Sequence, residues 1–180
     1  MRLTIKTDRL TLRVPQDDDA EALARGLGVL DIARMTARVP HPYPVEAAEA
    51  WIELQRAGRQ RGDEISFVIE EQGRLCGGIG VFRPAPEHGW EVGYWVEKSC
   101  WGRGIATEAL TAIVDWAREE LGADQLTAGY FTDNPASSRV LEKAGFEPTG
   151  CEESKFSLAR GENATCVGMA RDLAVTVSAA

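Results

Sequence analysis

The sequence predicts an α/β domain built on one mixed, twisted β-sheet. Three observations carry this prediction: hairpins early in the chain, a strand–helix–strand crossover in the middle, and a strand, a short helix and a hairpin at the end. The chain has 180 residues, the usual size of one domain, so residues 1–180 are expected to form a single domain.

The first third of the chain predicts one strand and two helices. Apolar and polar residues alternate over Leu10–Val14, as they do in a half-buried strand. A helix is predicted over Asp17–Leu27, since its first turn carries three acids that favour the helix dipole. Three prolines make Val39–Pro44 an extended loop. A second helix begins near Val45 and ends at Gly62, a residue suited to capping it.

Three strands are predicted next. Ile65–Glu70 and Leu75–Phe82 are expected to form a hairpin, with Gly73 in the turn between them. Trp90–Val96 is the third strand of this group. Gly93 lies inside it, which indicates a bulge or a close approach of the backbone to another group.

The second half predicts a long helix, a short helix and a hairpin. An apolar stripe runs through Ile105–Leu121, and Gly122 is placed to end that helix. Asn134 and Pro135 are typical of a helix start, and Gly145 of a helix end. The other elements predicted here are a strand at Gln125–Thr132 and an antiparallel hairpin over about the last 30 residues, broken at Arg160–Asn163.

Composition narrows the class of protein. Hydrophobic residues make up 44% and charged residues 27%, an ordinary globular balance. A net charge of −8 argues against a nucleic-acid-binding protein, since such proteins bind phosphates through Lys and Arg. No apolar run approaches a membrane span or a signal core. Four cysteines without CxxC spacing and two histidines give no clustered metal ligands. We therefore expect reduced thiols, no metal and a cytoplasmic location.

The stretch Val96–Glu108 predicts an anion site where a strand ends and a helix begins. The first N–H groups of a helix have no internal partners and carry partial positive charge, so a pyrophosphate is a natural ligand. Gly102 and Gly104 lack Cβ atoms, which lets the backbone approach phosphate oxygens closely. Arg103 adds a cation that can cover the phosphates, and Thr107 a hydroxyl donor.

The run Trp101–Ala106 (WGRGIA) resembles the coenzyme A turn of the GNAT N-acetyltransferases, (Arg/Gln)-x-x-Gly-x-(Gly/Ala). Trp replaces Arg or Gln at the first position, as is usual in the RimJ/RimL-like branch, which includes N-terminal acetyltransferases of ribosomal proteins. Three other runs are similar to that branch: Asp8–Arg13 (DRLTLR), Glu91–Trp95 (EVGYW) and Asn134–Phe146 (NPASSRVLEKAGF). The resemblance thus covers most of the chain.

This resemblance implies the GNAT fold, with a mostly antiparallel sheet of about seven strands flanked by about four helices. It also implies an acetyltransferase that uses acetyl-coenzyme A as co-substrate. The acceptor would be a primary amine, either a protein N-terminal α-amine or a small-molecule amine, and would attack the thioester directly in a ternary complex. The expected partners are acetyl-coenzyme A and this amine, with a homodimer as an open alternative to a monomer. Neither nucleic acid nor a membrane is expected.

The resemblance also implies roles for individual residues. Ser137 is the candidate acid, because Leu141 stands where many relatives carry a catalytic tyrosine, and Glu91 is the candidate base. His41, Tyr43, Trp51 and Glu91 are expected near the acceptor. Residues expected to contact the coenzyme are Val96, Trp101, Gly102, Arg103, Gly104, Ile105, Ala106, Thr107, Asn134, Ser137, Arg139 and Lys143.

Two alternatives to an active acetyltransferase are open. A catalytically idle sensor of the same fold would bind an acyl-coenzyme A without turning it over. A nucleotide-binding domain would place a Lys-Ser/Thr pair after the glycines, where this chain has Ile105 and Ala106, and this counts against it.

Overall fold

The computed structural model describes residues 1–83, 85 and 87–174. Within these residues, eight strands form one sheet in the order β1-β2-β3-β4-β5-β6-β8-β7, with five α-helices around it. The strands are β1 (Thr4–Lys6), β2 (Leu10–Arg13), β3 (Glu64–Glu71), β4 (Arg74–Phe82), β5 (Trp90–Val96), β6 (Gln125–Phe131), β7 (Glu147–Ser157) and β8 (Glu162–Asp172). The helices are α1 (Ala20–Leu27), α2 (Leu30–Ala33), α3 (Val45–Arg61), α4 (Ile105–Leu121) and α5 (Pro135–Lys143).

The predicted mixed, mostly antiparallel α/β sheet is confirmed, with small differences in its elements. The described chain has one strand and one helix more than predicted, at Thr4–Lys6 and Leu30–Ala33. Both are too short to show a periodic pattern in sequence, since three or four residues barely repeat either period. The C-terminal hairpin turns at 158–161, two residues before the predicted break at Arg160–Asn163.

Helices cover both faces of the sheet and so define two sides of β5. Tyr94 and Val96 pack against the core beneath α4 and α5, whereas Trp95 packs against the core beneath α1 and α3. Side chains alternate along a strand, so Glu91 and Gly93 share the side of Trp95. We call these two sides the α4/α5 face and the α1/α3 face.

The sheet opens between its only two parallel neighbours among the described strands. β5 and β6 pair at two positions, Trp90 with Leu126 and Glu91 with Thr127, and then separate. We call this opening the slot; it is bounded by residues 92–96 of β5 and 128–131 of β6. β5 stays paired with β4 throughout, so only its edge toward β6 is free. An extended ligand can therefore lie along that edge.

Gly93 does not mark a bulge. The pairing of β4 with β5 is regular through Gly80 and Gly93, and Gly93 does not have a positive φ. A Cβ atom built on Gly93 would meet only Phe82 Cε1, at 3.9 Å, so no other backbone approaches it closely. The predicted bulge is therefore wrong, and the predicted close approach is not made by any other backbone of the described chain.

The C-terminal hairpin is fastened to the α1/α3 side. Ser157, at the end of β7, is fully buried and donates a hydrogen bond to the Thr36 carbonyl at 2.9 Å. Arg160 makes two hydrogen bonds to the carboxylate of Asp133, which directly precedes Asn134. Among the helices described, none has the length and hydropathy needed to cross a membrane.

Candidate active site

The turn between β5 and α4 has the geometry that its glycines predict. Gly102 and Gly104 have φ values of +73° and +77°, in the left-handed region that favours glycine. Gly104 is the N-cap of α4, and the first bond inside the helix runs from Glu108 N–H to its carbonyl. The N–H groups that precede Glu108 are therefore free to bind a ligand. Ile105 offers only its backbone, because its side chain is buried.

Glu108 and Arg9 hold this turn in place through side-chain hydrogen bonds. The Glu108 carboxylate accepts hydrogen bonds from Thr7 Oγ1 at 2.6 Å and from Arg9 Nε at 2.8 Å. Burial alone would raise the pKa of Glu108, but these bonds outweigh it and lower that pKa below its usual value. Arg9 also donates to the Arg103 carbonyl at 3.1 Å. The turn is thereby tied to the segment between β1 and β2.

Two side chains of the turn already have partners. The Arg103 guanidinium lies 2.6 Å from Glu71 Oε2, and 45% of its side chain is exposed. The half-exposed Trp101 donates its indole N–H to the Val96 carbonyl at 2.7 Å. Glu97 donates its N–H to the Cys76 carbonyl of β4. Backbone groups of successive residues in a strand point to opposite edges, so the N–H and carbonyl of Val96 point to the slot. With its carbonyl occupied by Trp101, Val96 offers the slot an N–H donor.

Helix α5 begins at the far side of the slot, after β6. Asn134 caps it as predicted, since its side-chain oxygen accepts from Ser137 N–H at 3.2 Å. Arg139 and Lys143 follow on the same helix and are exposed. Within the described residues neither forms an ion pair, so both cations are available to an anionic ligand.

Ser137 has a partner that the sequence analysis missed. Tyr94 reaches from β5 to α5, and its hydroxyl lies 2.8 Å from Ser137 Oγ and 3.2 Å from the Ser137 carbonyl oxygen. Burial raises the pKa of the Tyr94 phenol to about 12, so it keeps its proton at neutral pH. Leu141 is fully buried and cannot face a substrate. Tyr94 and Ser137 thus form a hydroxyl pair across the slot.

Glu91 lies on the opposite face, in a small cavity. Lys155 Nζ lies 3.5 Å from Glu91 Oε1 and 3.2 Å from Glu153 Oε1. Burial alone would lower the pKa of Lys155, but the two carboxylates outweigh it and raise that pKa above its usual value. The trio therefore carries two negative charges and one positive charge. The cavity measures about 220 Å³, and its lining includes Glu91, Thr127, Gly129, Glu153, Lys155 and Gly168.

The other three acceptor candidates lie apart from this cavity lining. Tyr43 is buried in the core beneath α1 and α3, and its burial raises its pKa to about 12. Trp51 packs against the same core, and His41 is exposed in the proline-rich loop. The described part of the chain holds no group of His, Cys, Asp or Glu that could bind a metal. All four cysteines are free thiols.

The sequence held signals for two of the missed residues. Arg9 and Tyr94 both lie in runs that resemble the RimJ/RimL-like branch, DRLTLR and EVGYW. Strand alternation separates Tyr94 from Glu91 and puts it on the α4/α5 face. Lys155 gave no signal, because its contact with Glu91 depends on the hairpin register.

The chain is similar in sequence to known acetyltransferases. The family model "Acetyltransferase (GNAT) domain" matches residues 9–147. An uncharacterized N-acetyltransferase of Bacillus subtilis, YoaA, is 33% identical over 149 residues, covering 81% of this chain and 84% of that protein. The ribosomal-protein-serine acetyltransferase of Escherichia coli is 32% identical over 93 residues, covering 51% of this chain and 52% of that protein.

Solved structures share the fold. The microcin C7 self-immunity acetyltransferase MccE, in complex with acetyl-CoA and AMP, has a TM-score of 0.84 at 17% identity, covering 96% of this chain and 98% of that one. RimL, the ribosomal L7/L12 α-N-protein acetyltransferase in complex with coenzyme A, has a TM-score of 0.84 at 20% identity, covering 94% and 97%. The chain belongs to the GNAT family of acetyltransferases.

Proposed function

We propose that this protein transfers the acetyl group of acetyl-coenzyme A to a primary amine, through direct attack in a ternary complex. The observation that carries the proposal is the slot between β5 and β6. The open end of the slot meets the start of α4, which has free N–H groups. Tyr94 and Ser137 form a hydroxyl pair at the α5 side of the slot, and the cavity of Glu91 lies at its closed end. These are the parts needed to hold a pyrophosphate, a thioester and an amine.

The coenzyme would lie along the free edge of β5. Its pyrophosphate would bind the N–H groups at the start of α4, between Gly102 and Thr107, and Arg103 would turn from Glu71 to cover it. The pantetheine arm would accept a hydrogen bond from Val96 N–H, as an added strand does. From Val96 to Glu91 the strand spans roughly 16 Å. Asn134, Arg139 and Lys143 would contact the coenzyme from α5.

The reaction needs one proton removed and one supplied. As the amine nitrogen attacks the thioester carbonyl, the C–N bond forms, and Glu91 would take the amine proton directly or through a water. When the C–S bond breaks, Ser137 would give its hydroxyl proton to the leaving sulfur and be reprotonated from solvent. Alignment of the two reactants would supply much of the rate, since it can remove ~7–11 kcal/mol from such a barrier.

The preferred acceptor is an α-amine. With a pKa of ~7.7–8.0, about one α-amine in ten is neutral at pH 7, against roughly one in a few thousand for a lysine amine at ~10.4. The Glu91 carboxylate pairs with Lys155, which makes it a weaker base. This favours an acceptor amine that needs little help to lose its proton. The named ribosomal-protein relatives support a protein N-terminus as this acceptor. A cytoplasmic location, a homodimer and a single domain over 1–180 stay predictions.

Thermal unfolding with acetyl-coenzyme A, free coenzyme A and ATP tests the donor. A ligand at 100 times its dissociation constant adds ~2.7 kcal/mol to stability, so the first two should raise the Tm and ATP should not. Thiol release with a panel of peptides, free amino acids and monoamines then tests the transfer. A Tm shift without release for any amine would favour the idle sensor, and no shift would remove the coenzyme site as well.

Glu91→Gln is expected to lower kcat/KM for a peptide α-amine about 10- to 100-fold at pH 7, because the base is lost while the shape is kept. The deficit should shrink as pH rises past 8, where the amine is already neutral in solution. Glu153→Gln is the matched control, since Glu153 also pairs with Lys155 but is more exposed. Equal losses of kcat/KM in both variants would mean that Glu91 contributes only negative charge to the cavity and does not remove the amine proton.

A further inference from the structure

Gly93 is a strand glycine for which the folded chain offers no internal reason. Three other glycines of the same sheet are required by close neighbours. A Cβ atom would lie 2.3 Å from the Trp95 carbonyl oxygen at Gly77, 2.7 Å from Trp95 Nε1 at Gly78 and 2.4 Å from Ser66 Oγ at Gly80. At Gly93 the nearest atom would be 3.9 Å away, which is ordinary contact. Its φ is also accessible to any residue.

A glycine in this position weakens the strand. Glycine inside a strand is less favourable than alanine by roughly 0.5–1 kcal/mol, because its backbone loses more freedom on folding. Such a glycine often marks a site where a ligand comes close to the backbone. The one contact that a Cβ atom at Gly93 would make with the described chain is with Phe82, so the space above Gly93 is open to a ligand.

The position of Gly93 identifies which ligand this is. It lies on the α1/α3 face between Glu91 and Trp95, beside the slot, whereas the next side chain, Tyr94, points to Ser137 on the other face. The backbone groups of β5 that face the slot belong to alternate residues such as Val96, and these would serve the coenzyme. The bare Cα of Gly93 is therefore on the acceptor side.

The surface around it is open toward the cavity of Glu91. Gly93 is exposed, and Glu91 lies two residues away on the same face, about 7 Å along the strand. The glycines that line the cavity on β6 and β8 are instead covered, since a Cβ atom would lie 2.7 Å from Cys166 Sγ at Gly129 and 2.8 Å from Thr149 Oγ1 at Gly168. An amine that reached Glu91 from the slot would place its first carbon atom near Gly93.

We propose that Gly93 is a specificity-determining residue that makes room for the substituted α-carbon of an α-amine acceptor. This inference rests on the proposed function. A branched carbon next to the amine needs more space than the CH₂ group of a glycine terminus or a linear monoamine. A methyl group added to the protein at Gly93 would occupy the space that the acceptor's own side chain uses.

The experiment compares Gly93→Ala with wild type on three peptide amides that begin with Gly, Ala and Ser and are otherwise identical. The expected result is a fall of at least about 10-fold in kcat/KM for the Ala and Ser peptides relative to the Gly peptide. Acetyl-coenzyme A affinity should stay within about two-fold and the Tm should not fall, because the added methyl meets no close neighbour. Gly89→Ala is the matched control: Gly89 also has open space around it and a φ that is not positive, outside the site.

Three outcomes overturn the inference. Wild-type turnover with an unchanged peptide ratio in Gly93→Ala would overturn the inference alone. A lower Tm in Gly93→Ala than in Gly89→Ala would assign Gly93 to internal packing. No thiol release by the wild type with any peptide would overturn the proposed function, and this inference with it.

Discussion

Replacement of Gly104 by aspartate is expected to lower the affinity for coenzyme A at least about 100-fold while the protein stays folded. Aspartate tolerates the left-handed φ of +77° at this position, and a carboxylate near a helix N-terminus favours the helix dipole. A Cβ atom would lie 3.6 Å from Arg9 Nη2, which is ordinary contact, so the side chain fits without a clash. The new carboxylate would lie at the positive end of α4 and repel the pyrophosphate.

Titration calorimetry with coenzyme A measures this effect, and two amide variants control it. Gly104→Asn adds the same volume without charge and should lose less affinity. Gly122→Asn alters the opposite end of α4 at a φ of +60°, where a Cβ meets no atom, and should bind normally. Gly104→Val is a poorer choice, since a branched residue at positive φ adds strain of ~1–3 kcal/mol. Wild-type affinity in Gly104→Asp would move the pyrophosphate elsewhere.

Removal of the Ser137 hydroxyl is expected to lower kcat by about 100-fold or more and to leave the Kd for acetyl-coenzyme A nearly unchanged. The reason is that an acid acts only when the C–S bond breaks, after the coenzyme has bound. Ser138→Ala is the matched control on the same helix, because the Ser138 hydroxyl bonds to Glu142. Pre-steady-state thiol release separates the chemical step from product release. A normal chemical step in Ser137→Ala would reduce Ser137 to a surface residue of α5.

The same measurement on Tyr94→Phe tests whether the hydroxyl pair acts as a unit. Loss of one hydrogen bond to Ser137 should lower kcat roughly 10-fold. If Tyr94 acts through Ser137, the double variant should be no slower than Ser137→Ala alone. Multiplied losses would instead mean that the Tyr94 phenol reaches the substrate independently.

Local signals in the sequence predicted most of the fold and the coenzyme turn. The bounds of α4 and β5 are as predicted, because each has a clear apolar pattern and a glycine or polar residue at its end. The N-cap at Asn134 was equally local, since it depends on residues within one turn. The glycines of the turn were assigned from their lack of a Cβ atom between a strand and a helix start, and in the structure both have a positive φ.

Contacts between distant residues could not be predicted in this way. Tyr94 and Ser137 are 43 residues apart, and their hydrogen bond depends on how widely β5 and β6 separate. The pairing of Lys155 with Glu91 depends on the insertion of β8 between β6 and β7. Tyr43 was expected near the acceptor from its place in the proline-rich loop, yet its side chain is buried in the core.

The separation of β5 from β6 has a mechanical consequence for the whole molecule. Five strands on one side and three on the other share only two main-chain pairs, so backbone hydrogen bonds contribute little to holding these halves together. The apolar core beneath α4 and α5 does so instead, since it joins Val92 of β5 to Leu126 of β6 and Met169 of β8. Hydrophobic contacts have no preferred direction, whereas hydrogen bonds do. The two halves of the sheet are therefore held together by side-chain packing and by the bond from Ser157 to Thr36, and not by the pairing of β5 with β6.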